Sequence, residues 1–135
     1  MKVATGEGEH DAAVPDAFLR EHRSAVERGH CNLLPPQAVQ GMARAQIARD
    51  RALAGAILPH ASRGVVLLTG NGHARIDVGV PYWLPAGARA ESKSIGILER
   101  AEPATAPAFD AWVMTESVER PDPCAGLARQ LKPKG

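Results

Sequence analysis

The chain has 135 residues, of which 44% are apolar, 4% aromatic and 23% charged, and this composition predicts a single soluble domain with one core. Its 16 basic and 15 acidic residues are interleaved and leave a formal net charge of +1, so the clustered basic face of a nucleic-acid binder is not expected. No apolar run approaches the roughly 18–20 residues that span a bilayer, and the first residues lack the apolar middle of a signal peptide.

The N-terminal part of the sequence predicts two helices joined by a loop. The first ten residues are polar and Gly-rich and are expected to be disordered, and a helix then runs from Pro15 to Arg28. The segment HCNLLPPQ carries two prolines and predicts a loop. A second helix runs from about Pro36 to Leu58. The apolar stripes expected on the two helices are Ala17, Phe18, Ala25 and Val26 on the first, and Met42, Ala45, Ala48, Ala52, Leu53, Ala56 and Ile57 on the second.

Three strands and a short helix are expected after these helices. Residues 64–69 form a continuous apolar run between glycines, which predicts a strand buried on both faces of a parallel sheet. Two more strands are expected at 94–98 and 111–115, with a Pro/Ala loop between them and a short helix from Cys124 to Leu131. This order predicts an α/β fold with a partial parallel or mixed sheet and packing helices. Because a buried strand needs neighbours and the chain supplies few, we expect part of a larger domain.

The segment Gly70-Asn71-Gly72-His73 is the strongest candidate site. It directly follows the predicted strand, where ligands of open α/β sheets gather. Gly70 and Gly72 are expected to adopt positive φ and let a ligand approach the backbone. Asn71 offers an amide donor and an acceptor, and His73 can bind a metal or donate to a carboxylate. The alternative is a tight turn with a partly exposed histidine.

Polar and aromatic residues just after this segment are further candidates. Arg75 lies close to Asp77, with which it can form a surface ion pair. Tyr82 is the sole tyrosine, and a phenolate can be an axial ligand of haem iron. The alternative for Tyr82, and the favoured interpretation for Trp83, is a packing anchor.

The helix before the predicted strand carries a third group of candidates: Gln46, Arg49 and Asp50. They either form a solvated face or donate polar groups to the site. The two cysteines, Cys31 and Cys124, are far apart in sequence and are predicted to be free thiols, with a long-range disulfide as the alternative.

Four ordered blocks between Gly29 and Leu127 resemble the C-terminal half of the ChaN-like family, haem-binding uptake proteins grouped with the Tiki superfamily. The blocks are GHCNLLP, MARAQIARDRALA, VVLLTGNGHARIDVGVPYWL and FDAWVMTESVERPDPCAGL. The resemblance implies an EreA/ChaN-like domain that lacks its N-terminal half, with a variable segment at 1–28 and the family domain at 29–131. It also implies a bacterial haem or iron uptake protein, related to exported lipoproteins, that binds haem and can form a homodimer around it.

The resemblance also implies roles for individual residues. His73 matches the histidine of the family's second GxxH motif, and Gln46, Arg49 and Asp50 match its helix motif. The haem-binding set is therefore expected to be Gly70, Asn71, Gly72, His73, Arg75, Tyr82, Gln46, Arg49 and Asp50, with His73 and Tyr82 as candidate iron ligands and no catalytic residue. The family's first motif, GExH, has only the stretch at residues 6–11 as a counterpart, and this stretch is assigned no role.

Two alternatives to haem binding follow from the same sequence. A Tiki-like metal-dependent hydrolase is the poorer one, because catalytic zinc usually has three protein ligands and His73 is the one strong candidate. A truncated chain without activity of its own is the other.

The family implies a periplasmic or outer-membrane-associated protein, whereas the chain as written, without a signal peptide or lipoprotein anchor, is expected in the cytoplasm. Because both cysteines lie in family-like blocks, the resemblance allows a disulfide between Cys31 and Cys124 in an exported protein.

Overall fold

The computed structural model describes residues 14–99 and 108–131, and the chain divides after Ala48 into two compact units. This differs from the expectation of one core, because each unit has hydrophobic clusters of its own. The residues expected to be disordered at the N-terminus lie outside the described part of the chain, as does most of the predicted Pro/Ala loop.

The first unit contains helix α1, Asp16–Gly29, and the beginning of helix α2. The buried side chains of α1 are Phe18, His22 and Val26, which are four residues apart and share one face. Val26 packs with Val39 and Ala43 of α2, and this cluster forms a core for the unit. The predicted stripe was half wrong, since Ala17 and Ala25 are exposed.

Helix α2 spans Pro36–Ile57 and continues as a 3-10 helix over Leu58–Arg63. Its buried stripe differs from the predicted one, and the four alanines expected on the apolar face are exposed. An Ala-rich helix has similar hydropathy on several faces, so periodicity alone did not select the correct one. The stripe that is buried consists of Val39, Ala43, Ile47, Asp50 and Ala54.

Residues 64–70 form neither a helix nor a strand, so the prediction of a strand buried on both faces was wrong. Val66 and Leu68 are 85% and 89% exposed. The side chain between them, Leu67, packs against the cluster of Ala54 and Val80. The segment therefore buries the Leu67 side and exposes the other. It forms no strand because a strand requires a backbone neighbour, and no described segment supplies one.

The sheet of the second unit has two parallel strands, β1 at Ile95–Leu98 and β2 at Ala111–Met114. Both predicted strand positions are confirmed. A short helix α3, Asn71–Ala74, contacts β1, and helix α4 spans Ala86–Glu91. The helix-rich structure with a small parallel sheet agrees with an α/β fold, while the absence of an N-terminal half stays a prediction.

The C-terminal helix α5, Pro123–Gln130, agrees with the predicted one. The Asp122 carboxylate caps it by accepting a hydrogen bond from the Cys124 backbone N–H at 2.9 Å. The prediction of two free thiols was wrong, since Cys31 and Cys124 are both disulfide-bonded.

Candidate functional site

His73 lies on the one-turn helix α3, which directly follows residues 64–70. Gly70 has φ −66° and ψ 151°, so the chain enters α3 from an extended conformation. The Gly70 carbonyl accepts a hydrogen bond from the His73 backbone N–H at 3.0 Å, which closes the turn. The side chain of His73 is 17% exposed and therefore remains in contact with solvent.

The imidazole of His73 is joined to the buried carboxylate of Asp50. His73 Nδ1 lies 2.5 Å from Asp50 Oδ1, and the Asp50 side chain is only 1% exposed. Among the described residues no hydrogen bond engages His73 Nε2. Nδ1 of His73 is therefore engaged by the buried Asp50 carboxylate, whereas Nε2 has no hydrogen bond among the described residues.

The electrostatics of Asp50 follow from this burial. Removal from water raises the pKa of the Asp50 carboxyl above its usual value. The hydrogen bond and charge of His73 and the charge of Arg49 act in the opposite direction and offset only part of this rise. An ionised Asp50 therefore costs folding free energy, which suggests a role other than stability.

Three further contacts fix the position of the His73 turn. The Asn71 side-chain amide donates to the Ile97 carbonyl at 2.7 Å, while the Asn71 carboxamide oxygen accepts from the Ile97 N–H at 3.3 Å. The buried Ser94 hydroxyl donates to the Ala74 carbonyl. The Ile76 N–H donates to the carbonyl of residue 108 at 2.8 Å. The turn is thus tied to β1 and to the segment before β2.

The glycines of the motif do not have the predicted conformation. Neither Gly70 nor Gly72 has a positive φ, and a Cβ added at either position would meet no atom within 4 Å. The close approach occurs at Gly79, whose Cβ would overlap the backbone of His73 and lie 2.7 Å from the Arg75 carbonyl oxygen. The glycine that the geometry of the site requires is therefore Gly79.

Arg75 and Asp77 form the ion pair expected from their spacing. Arg75 Nε lies 2.9 Å from Asp77 Oδ1 and Arg75 Nη2 lies 2.6 Å from Asp77 Oδ2, a two-point contact. Burial raises the pKa of Asp77, but the hydrogen bonds and charge of Arg75 outweigh it and leave this pKa below its usual value. The contact with Asp77 occupies Nε and Nη2 of the Arg75 guanidinium.

Tyr82 and Trp83 lie on a 3-10 turn, Val80–Trp83, that contacts α3. Their rings meet edge to face at 5.1 Å, and Trp83 packs on the cluster of Ala54 and Val80. Arg89 of α4 holds this turn by donating to the carbonyls of residues 81, 82 and 84, and its guanidinium lies 5.5 Å from the centre of the Tyr82 ring. Tyr82 is thereby fixed at the edge of the His73 turn.

The helix motif is divided between the two units. Gln46 belongs to the first unit and is half-buried, whereas Arg49 and Asp50 belong to the second. Arg49 is exposed, and only Asp50 contacts His73.

Residues 14–99 and 108–131 hold no group of three or more His, Cys, Asp or Glu side chains placed to bind a metal ion. None of the helices in these ranges is both long and apolar enough to cross a bilayer.

Sequence reasoning missed Ser94, Gly79 and Arg89. Gly79 stands in the block GVPYW, where a glycine before an aromatic 3-10 turn indicates close packing. Ser94 and Arg89 act through backbone carbonyls remote in sequence, so no spacing rule would have found them.

Comparison with known proteins gives one family. The family model described as haem-binding uptake, Tiki superfamily, ChaN matches residues 5–84, which include α1, α2, His73 and the Tyr82–Trp83 turn. No curated protein and no solved structure matches the chain.

Proposed function

Because the chain belongs to the haem-binding uptake family of the Tiki superfamily, the family of ChaN, we propose that it binds haem and serves bacterial haem or iron uptake. The observation that carries the proposal is the His73 imidazole, which is partly exposed and bonded through Nδ1 to Asp50. Imidazole is a common axial ligand of haem iron. A bound haem would supply an iron that accepts one nitrogen or oxygen electron pair from the protein.

The donor set around His73 fits this group. A histidine that binds a metal usually donates its other ring N–H to a carboxylate, a carbonyl or water, which sets the ring and its tautomer. Asp50 provides such a carboxylate. Apolar surface is available in the chain just before the site, because Val66 and Leu68 are almost fully exposed. A porphyrin is largely apolar and is bound mainly through contacts of this kind.

Tyr82 is the second proposed iron ligand, since a phenolate also binds haem iron. Its ring lies beside that of Trp83 and near Arg89, on a turn that contacts the His73 helix. His73 is favoured over Tyr82 because its Nδ1 is already oriented by a buried acceptor. Arg75 would bind a propionate by exchanging its contact with Asp77.

The proposed setting is the periplasm or the outer membrane. Disulfides persist in oxidising compartments, and both cysteines of this chain are disulfide-bonded.

The proposed homodimer would pair two chains around haem, and the mass of the haem-bound protein in analytical ultracentrifugation tests it. A haem complex with the mass of one chain would contradict the dimer.

A titration with haemin, followed by absorbance, tests haem binding. We expect a saturable Soret shift for the wild type, its loss in His73→Ala and its retention in Tyr82→Phe. His60→Ala is the matched control, because His60 is exposed and its Nδ1 lies 3.0 Å from Nη2 of the nearby Arg63.

The variants also separate the two ligands. Loss in Tyr82→Phe with retention in His73→Ala would assign the iron to Tyr82 and overturn the assignment to His73. A titration that never saturates with folded wild-type protein would overturn haem binding by this chain.

A further inference from the structure

The Asp50–His73 pair carries an inference about which atom of the site binds the ligand. We infer that Asp50 is a positioning residue that keeps the His73 ring proton on Nδ1 and so presents Nε2 as the electron-pair donor. The inference rests on the proposed haem site, because it names the ligating atom there and the residue that selects it.

The chemistry of the two groups sets the direction of the hydrogen bond. When Asp50 is ionised its carboxylate only accepts hydrogen bonds, and the 2.5 Å contact between Asp50 Oδ1 and His73 Nδ1 then places the hydrogen on Nδ1. In a neutral imidazole the other nitrogen then carries the lone pair. That nitrogen, His73 Nε2, has no hydrogen-bond partner among the described residues.

Both partners are held independently of each other. Asp50 lies inside α2 on the stripe that also buries Ile47 and Ala54, so its carboxylate has little freedom to move. His73 is fixed through its neighbours, since Asn71 bonds to Ile97 and Ala74 accepts a hydrogen bond from Ser94. The ring therefore meets the carboxylate in one orientation, and Nε2 keeps one direction before any ligand arrives.

The choice of a carboxylate at position 50 is informative. An asparagine of the same size could accept through its oxygen or donate through its nitrogen, and a donated hydrogen bond would leave the ring proton on Nε2. Only an obligate acceptor defines the tautomer. A buried ionised carboxylate opposes folding, as the raised pKa of Asp50 indicates. Asp50→Asn is therefore expected to fold.

The experiment measures the ring nitrogens directly in haem-free protein. Long-range ¹H–¹⁵N correlation spectra at about pH 8.5, above the ordinary titration range of histidine, distinguish the two neutral tautomers. We expect His73 to carry its proton on Nδ1 in the wild type and to shift toward the Nε2–H form in Asp50→Asn. Asp16→Asn is the matched control, because it makes the same carboxylate-to-carboxamide change at an exposed residue in the first turn of α1.

The second readout is haem affinity. Loss of an outer partner of a metal-binding histidine typically weakens binding roughly 10–100-fold, and we expect this for Asp50→Asn relative to the wild type and to Asp16→Asn. A wild-type His73 in the Nε2–H form would overturn the inference, as would an Asp50→Asn variant with unchanged tautomer and affinity. If the tautomers behave as expected but no variant binds haem, the positioning role of Asp50 stands and the haem proposal fails.

Discussion

Replacement of Gly79 by alanine should destabilise the second unit, whereas the same replacement at Gly72 should not. A Cβ at position 79 would lie 2.7 Å from the carbonyl oxygen of Arg75, which is 0.7 Å short of the 3.4 Å of ordinary contact, and would overlap the carbonyl of His73 more severely. Both obstacles are backbone atoms, so no side-chain rotation relieves them. The turn that carries His73 must move instead.

The magnitude follows from two opposing effects. Gly79 has φ −91° and ψ −160°, which alanine adopts readily, so the change also removes unfolded-state entropy worth about 0.4–1 kcal/mol. Overpacking of a tight site costs about 1–3 kcal/mol, which leaves a net loss of about 1.3 kcal/mol from the central values and of about 2.6 kcal/mol at most. Gly72 lies inside α3 with no atom near its Cβ, so Gly72→Ala should gain up to about 1 kcal/mol.

Urea unfolding followed by tryptophan fluorescence measures this, because Trp83 and Trp112 both belong to the second unit. With a slope of about 2 kcal/mol per M, the midpoint of Gly79→Ala should fall by about 0.6 M and by about 1.3 M at most, and that of Gly72→Ala should not fall. The haem affinity of Gly79→Ala should also decrease, because the displaced backbone carries His73. A midpoint for Gly79→Ala at or above the wild-type value would refute the reasoning.

Asn71→Ala removes both hydrogen bonds to the Ile97 backbone and should cost about 1 kcal/mol in urea unfolding; an unchanged midpoint would show that water replaces the carboxamide fully. The pKa of Asp77 is lowered on folding, so its contact with Arg75 stabilises the fold above about pH 4 and this contribution is lost as the pH falls further. The difference in stability between wild type and Asp77→Asn should therefore stay below about 1 kcal/mol and vanish in acid, because Asp77 is nearly half exposed. Both cysteines are disulfide-bonded, so reduction should lower the unfolding free energy by about 2–5 kcal/mol; equal urea midpoints with and without reductant would contradict this.

The regular elements could be predicted from local sequence, because prolines and glycines mark their ends. Pro15 precedes α1 and Gly29 closes it, while Pro36 opens α2 as a first helical residue. The positions of β1 and β2 were also predictable, since short apolar runs between turn residues have few other conformations.

Residues 64–69, before His73, show that local sequence does not reveal whether a strand has a neighbour. An apolar run such as residues 64–69 indicates that a strand would be favourable, but a strand also requires a backbone partner. The described residues provide none, so Val66 and Leu68 remain exposed. Local sequence also does not reveal why position 79 must be glycine, because the carbonyls of His73 and Arg75 that exclude a Cβ there are brought close by the fold.

Asp50 lies on the buried stripe of α2, which periodicity alone did not identify in this Ala-rich helix. Ala43, Ile47 and Ala54 are spaced by three or four residues through position 50, so a charge there falls on the buried stripe. A charged side chain on such a stripe must have a partner, because burial of an unpaired carboxylate is costly. The sequence offers His73 as that partner only after the turn at α3 has been placed, and this placement depends on β1. The chemistry of the pair was thus predictable from residue types, whereas its geometry required the tertiary contacts that bring α2 and α3 together.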